Sequence, residues 1–289
     1  MSAGNVPVDL DAYWAFWEER LGPGGLVSYH HIGCRSEADG RHAATGGLRL
    51  RRDLRWCGGL QAGPLGISLL DTSGISVDPI ADAAPTQIGL VILDDAADVR
   101  ALRIHGRVVR EGRTQMFTEG RFVDADDPGR VVALGTTSWA VACPKVPGYR
   151  YVDPGPGPDP DSELPTLAET FDCRRHAGDG YEITGLHRAH LRWHDCWQLS
   201  SQGHIQVVLE AAAQEVAAPS SPVGTQLRLR HASITIVAKG AAGPFVSSAT
   251  VGSATAQSVA TRSDLHDKGT GRLVATGIHV YVRAEPSTH

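Results

Sequence analysis

Apolar and polar positions alternate with a period of two along two long blocks of the chain, and each block opens on one helical run that is apolar on nearly every side. In the first block the strand-like runs cover residues 48–54, 87–93, 103–110, 115–123 and 130–141. Between the first two lies CGGLQAGPLGISLLD, residues 57–71, where a glycine-crowded turn leads into a helix that begins near Gly63. Pro64 suits the first helical turn, because its missing N–H would lack an intrahelical partner anyway. Leu65, Ile67, Leu69, Leu70, Ile75 and Val77 leave almost no polar face, so the helix is expected to be buried on most sides.

The second block repeats this order. A strand-like run over 181–193 precedes the turn LSSQGH (199–204) and the helical run IQVVLEAAAQEV (205–216). Strands then follow over 226–239, 244–252, 258–267 and 272–283. GRVVALGTTSWAV from Gly129 aligns with GRLVATGIHVYV from Gly271, each shortly after an aspartate, Asp124 or Asp267, in a turn. Self-similarity on this scale is the mark of a duplicated unit. PGPGPDPDSELP, within 144–165, has too many prolines and acids for a packed element and reads as an extended linker. An amphipathic helix with Trp14 and Trp17 is expected over 11–21. The resulting division is an N-terminal helical segment (1–24), unit 1 (25–143), a Pro-rich linker (144–179) and unit 2 (180–289).

Each apolar helix carries a carboxylate in an equivalent place, Asp71 in the first and Glu210 in the second. A carboxylate taken out of water is costly, which makes both acids candidates for chemistry rather than packing.

Composition narrows the function classes. A chain of 289 residues with 42% hydrophobic content can bury a large core, and its net charge of -5 argues against a nucleic-acid protein. No stretch approaches the ~20 apolar residues of a membrane span, and no secretory leader is visible, so a cytoplasmic location is expected. Cys34, Cys57, Cys143, Cys173 and Cys196 are scattered without C-x-x-C spacing and read as reduced thiols. His187, His190 and His194 superficially offer metal-ligand spacing, but in a strand 187 and 190 face opposite sides, so no metal site is expected. Neither a serine-hydrolase elbow nor a phosphate-binding glycine loop is present in a plausible setting.

A central helix wrapped by a mostly antiparallel sheet, with glycine at the helix start and an acid two turns in, resembles the hotdog fold, and more closely the PaaI-type thioesterase family. That family's pattern HGGxxxxxxD falls on AGPLGISLLD (62–71) and on SQGHIQVVLE (201–210); spacing and acids match, but both histidines are absent. The resemblance implies an α+β chain of two fused hotdog units, each a mostly antiparallel sheet around a central helix, forming an intrachain pseudo-dimer. It also implies hydrolysis of acyl-CoA or acyl-carrier-protein thioesters with no separate cofactor, coenzyme A being part of the substrate, and possible assembly of pseudo-dimers into homo-oligomers.

Eight residues from Gly63 to Asp71 span about 12 Å of helix, so one helix cannot supply both ends of a site. Hotdog pairs set their helices antiparallel, which implies two composite sites. In one, the Gly63 N–H polarises the thioester carbonyl and Glu210 is nucleophile or general base. In the other, Asp71 is the acid, Ser201, Gln202 and Gly203 form the helix start, and Asp195 stands where the family often has an asparagine that positions the nucleophile or water. The second is preferred at this level, because it keeps the family's commoner acid and gathers more polar groups. Arg110, Arg113, Arg228 and Arg230 are candidates to grip coenzyme A phosphates or are simply solvated. Two further classes stay open. One is a non-catalytic module binding an acyl chain or coenzyme A. The other is a hotdog hydratase or dehydratase, whose histidine five residues after the acid is replaced here by Ser76 and Glu215.

Overall fold

The structure, a computed structural model, describes residues 30–77, 81–144, 157–160, 162–176, 180–183, 192–193, 196–197, 202–221 and 226–284, with single positions at 15, 18, 153 and 155. The expected helix over 11–21 and the His187–His194 run lie outside the described residues, apart from single positions.

The elements in chain order are β1 (Arg35–Ala38), β2 (Ala43–Arg49), the short hairpin β3 (Arg55–Trp56) and β4 (Gly59–Leu60), and helix α1 (Ala62–Val77). Strands β5 (Ala81–Ile92), β6 (Ala101–Glu111), β7 (Gln115–Asp124) and β8 (Val131–Pro144) complete the first half. Next come α2 (Leu167–Thr170), β9 (Cys173–Arg175), β10 (Tyr181–Ile183), the pair β11 (Arg192–Trp193) and β12 (Cys196–Trp197), and helix α3 (Gln202–Ala217). The chain closes with β13 (Gln226–Ile236), β14 (Phe245–Ala254), β15 (Ser258–Asp267) and β16 (Arg272–Ala284).

Twelve of these strands form a single sheet in the order β1-β2-β6-β7-β8-β5-β13-β16-β15-β14-β10-β9. The order reads the same from both ends once first-half strands are exchanged for their second-half counterparts. The halves join where β5 pairs antiparallel with β13, Leu90 opposite Ala232. The two helices lie against one face and against each other. Gly63 of α1 approaches Val207 and Glu210 of α3, and Gly66, one turn later, approaches Gln206, one turn earlier, so the helices run antiparallel.

Why α1 seats so deeply follows from a row of small residues. Gly106 of β6, Gly120 of β7 and Gly135 of β8 are direct cross-strand neighbours. A Cβ on Gly120 would stand 2.3 Å from Leu69 Cδ1, and one on Gly135 2.5 Å from Leu69 Cδ2. Leu69, fully buried, therefore lies in a trough that only glycine leaves open. In the second half the same row is Ala249, Ser263 and Gly277.

Other matched landmarks sit as their duplication suggests. Asp267 closes the turn before β16 by accepting hydrogen bonds from the N–H groups of Ala241, Ala242, Gly243, Gly269 and Thr270. Asp124, its counterpart, caps Asp126 N–H and pairs with Arg130.

Two expectations are corrected. The strand over 48–54 is displaced: β2 ends at Arg49 and residues 52–54 form a 3-10 turn, with burial recurring every third residue at Leu48, Arg51 and Leu54 rather than every second. Of the run expected over 181–193, the described residues, 181–183 and 192–193, are all strand. The far end of the segment read as linker is folded. A capping box at Thr166 and Glu169 starts α2, and Leu167, Phe171 and Cys173 are buried in the core. No helix among the described residues is long and apolar enough to cross a membrane.

The trough makes a prediction. Gly120→Ala should destabilise the fold by about 1–3 kcal/mol through overpacking against Leu69. Adding Leu69→Ala to that variant should cost less than the same change in the parent, because the methyl then fills vacated space; chemical denaturation of the four proteins measures the coupling.

Candidate functional site

The first turn of a helix leaves backbone N–H groups without intrahelical partners, and here that end is buried. Ala62 N–H donates to Glu210 Oε1 and Gly63 N–H to Glu210 Oε2, each at 2.7 Å. One carboxylate of the second half thus closes the helix start of the first. Gly63 is what permits the approach, since a Cβ there would lie 3.3 Å from Glu210 Oε2 and 3.2 Å from Val207 Cγ2. The sequence-expected pairing of Gly63 with Glu210 is realised in space.

Glu210 is 2% exposed. Burial pushes its carboxyl up to about 7, opposed by the Gly63 and Ala62 amides and by Gln214, all of which favour the charged form. A carboxyl poised near neutrality beside a helix N-terminus has the properties of a general base or nucleophile. Tyr281, fully buried in β16, has its phenol raised well above its ordinary value by burial and then by the Glu210 charge. Its ring meets Trp56 edge-on, with centroids 5.3 Å apart.

Glu210 opens onto a cleft of about 1000 Å³ between the halves. Trp56 and Gln61 line it from the first half, Val207 and Gln214 from α3, and residues 160 and 162–168 form a further wall. Gln61, Gln214, Trp56 and Tyr281 were not singled out from the sequence. The available signal was positional, Gln214 standing one helical turn from the acid and Gln61 just before the helix start.

Asp71 has different surroundings. It is half-buried and accepts a 2.6 Å hydrogen bond from Ser36 Oγ, which also lies 3.0 Å from Thr72 Oγ1. Burial and the Asp71 charge push the neighbouring Cys34 thiol up to about 12, so it is inert as a thiolate. Asp195 and Ser201 lie outside the described residues. Gln202 opens α3, with its side chain outside the described set, and Gly203 is buried in the first turn. The described geometry therefore completes one composite site, at Glu210, and shows one half of the other.

The remaining candidates take ordinary roles where they are described. Arg228 and Arg230 both pair with Asp95, whereas Arg110 and Arg113 are exposed. Ser76 donates to the Ser73 carbonyl and Glu215 pairs with Arg175, so neither brings a histidine-like group to its acid. Among the described residues no group of three or more His, Cys, Asp or Glu gathers as metal ligands.

No protein-family model matches the chain, and no curated protein matches it. Solved structures do. The chain is similar to the acyl-CoA thioesterase II TesB2 of Mycobacterium marinum, with a TM-score of 0.56, 14% identity, and 88% of this chain and 98% of that one covered. It is similar to an acyl-ACP thioesterase of Bacteroides thetaiotaomicron, with a TM-score of 0.52, 13% identity, and 83% and 97% covered. A hot dog fold protein of Alicyclobacillus acidocaldarius matches with a TM-score of 0.52, 11% identity, and 87% and 96% covered. Likeness over nearly the whole of each chain at such low identity establishes the architecture: two fused hotdog units forming an intrachain pseudo-dimer.

Proposed function

We propose that the chain hydrolyses acyl thioesters at the composite site around Glu210. The observation that carries this reading is the buried Glu210 carboxylate held at 2.7 Å by two helix-start amides of the other unit. In the proposed reaction the substrate carbonyl oxygen takes over the Gly63 N–H, which releases one carboxylate oxygen. That oxygen either attacks the carbonyl carbon, forming an acyl-glutamyl anhydride that water then hydrolyses to the free acid and the restored carboxylate, or takes a proton from a water that attacks the carbonyl directly. In both the C–S bond breaks and the carrier leaves as its thiolate. Deep burial and a carboxyl near neutrality support Glu210 over Asp71 as the working acid, reversing the order that motif similarity favoured. The names of the Mycobacterium marinum and Bacteroides thetaiotaomicron proteins are consistent with an acyl-CoA or acyl-carrier-protein thioester as substrate. The PaaI-type likeness, the unit boundaries 25–143 and 180–289, a reaction without a separate cofactor, a cytoplasmic location and further homo-oligomerisation belong to the same proposal.

One observation favours a second reading. Both helix-start amides are already occupied by Glu210, which would suit a structural cap in a non-catalytic acyl or coenzyme A binding module. Thiol release across short, long, branched and aromatic acyl-CoAs decides between them: binding of acyl-CoA without release from any member would leave the module.

Two outcomes are expected of Glu210→Gln. Turnover should fall on the order of 10²–10⁴-fold, whereas Asp71→Asn should stay within about threefold of the parent. Stability should also lose a pH dependence. The folded carboxyl, raised from 4.5 to about 7, binds its proton more tightly than the unfolded one. Its contribution is thus fully present below about pH 4.5 and lost as pH rises through about 7, a span on the order of 3 kcal/mol. Thermal melts from acid to neutral pH should show the parent falling relative to the Gln variant, and parallel curves would contradict the assignment.

A further inference from the structure

Two side-chain amides meet across the unit boundary beside Glu210. Gln61, buried just before α1, donates from Nε2 to the backbone carbonyl of Asp53 at 3.2 Å. A carbonyl only accepts, so this bond fixes the orientation of the Gln61 amide and leaves its Oε1 facing the second unit. There it accepts from Gln214 Nε2 at 3.3 Å. The anchor is itself held, because the Asp53 carboxylate bonds His31 Nε2 at 2.9 Å and Arg51 twice at 3.0 Å.

Gln214 stands one turn beyond Glu210 on the same face of α3, and both line the cleft. We propose that Gln61 and Gln214 form an orientation lock across the unit boundary, in which Gln61 dictates that the NH₂ end of the Gln214 amide, and not its carbonyl, is held against the Glu210 carboxylate. Flipping Gln214 would oppose two carbonyl oxygens at Gln61 and set a third oxygen against the carboxylate. The two glutamines are therefore positioning residues that hold Glu210 ready in its charged form. The inference rests on Glu210 being the working acid of the proposed function.

Other groups face the same space and are left unchanged by the test. From α1 come only the Ala62 and Gly63 N–H groups, and from β16 the Tyr281 hydroxyl. Around the cleft, Asp53 is bound to His31 and Arg51, Arg55 donates to the Ala96 and Val99 carbonyls, and Glu215 pairs with Arg175. Arg52, Glu163 and Tyr181 complete the charged or titratable lining.

The test uses the full chain with Gln61→Leu and Gln214→Leu, with Gln214→Met as a second variant if the leucine protein melts early. Ionisation of Glu210 is read directly from carboxyl-region infrared spectra, each titration referenced to Glu210→Gln. The lock predicts that the midpoint rises in both variants, the acid dissociation constant weakening about 3–10-fold. It also predicts that kcat drops by a similar factor near about pH 6 and recovers to within about twofold near about pH 9. An unchanged midpoint, with or without a uniform loss of kcat at every pH, overturns it. A shifted midpoint in a protein that releases thiol from no acyl-CoA supports the lock and removes the hydrolytic reading instead.

Discussion

Two backbone amides of one unit and one carboxylate of the other hold the seam of this protein. A buried helix start with unpaired N–H groups is costly, and so is a buried carboxylate; placed 2.7 Å apart, each offsets part of the other's penalty. The bond fixes the antiparallel register of the helices, favours glycine at position 63, and leaves the acid at the floor of the inter-unit cleft. Its ionisation near neutrality follows from the same contest, with burial favouring the neutral acid and the amides the charged one.

The halves share a plan but differ in depth. The first unit presents Gly106, Gly120 and Gly135 to its helix, whereas the second presents Ala249, Ser263 and Gly277. The acids differ too, Glu210 being buried at the floor of the cleft and Asp71 half-buried beside Ser36. A fused chain can build such inequality, because a change in one half is not repeated in the other.

Much of the architecture was legible because one unit is written twice. Alternation located β7 and β15 to within a residue, and Pro64 marked the start of α1. Errors arose where tertiary contacts override local pattern. AATGG has little strand propensity, yet β2 includes it because a Cβ at Gly46 would collide with Thr72, so glycine there answers to the helix. Phe171 looked like part of a tail beyond a Pro-rich stretch, but its ring packs edge-on against His31 and His204 of opposite units. At the site, the two acids stood out by their equivalent places in apolar helices. Gln61 and Gln214, 153 positions apart, gave no comparable signal, since glutamine on a helix or in a turn is ordinary until the fold brings the two amides together.

The β5–β13 junction carries a consequence for how the molecule opens. Those strands lie at the middle of the twelve-stranded sheet, so neither unit has a free central edge along which to separate. Amides such as Leu90 and Ala232 exchange with solvent only when that pairing is broken, which couples their protection to global unfolding rather than to local fraying. The outer strands β1 and β9 lie at the two ends of the same sheet and are free to open independently. Hydrogen exchange should therefore be slowest at the join between the repeats and faster toward both edges, so that two duplicated units behave as one cooperative body.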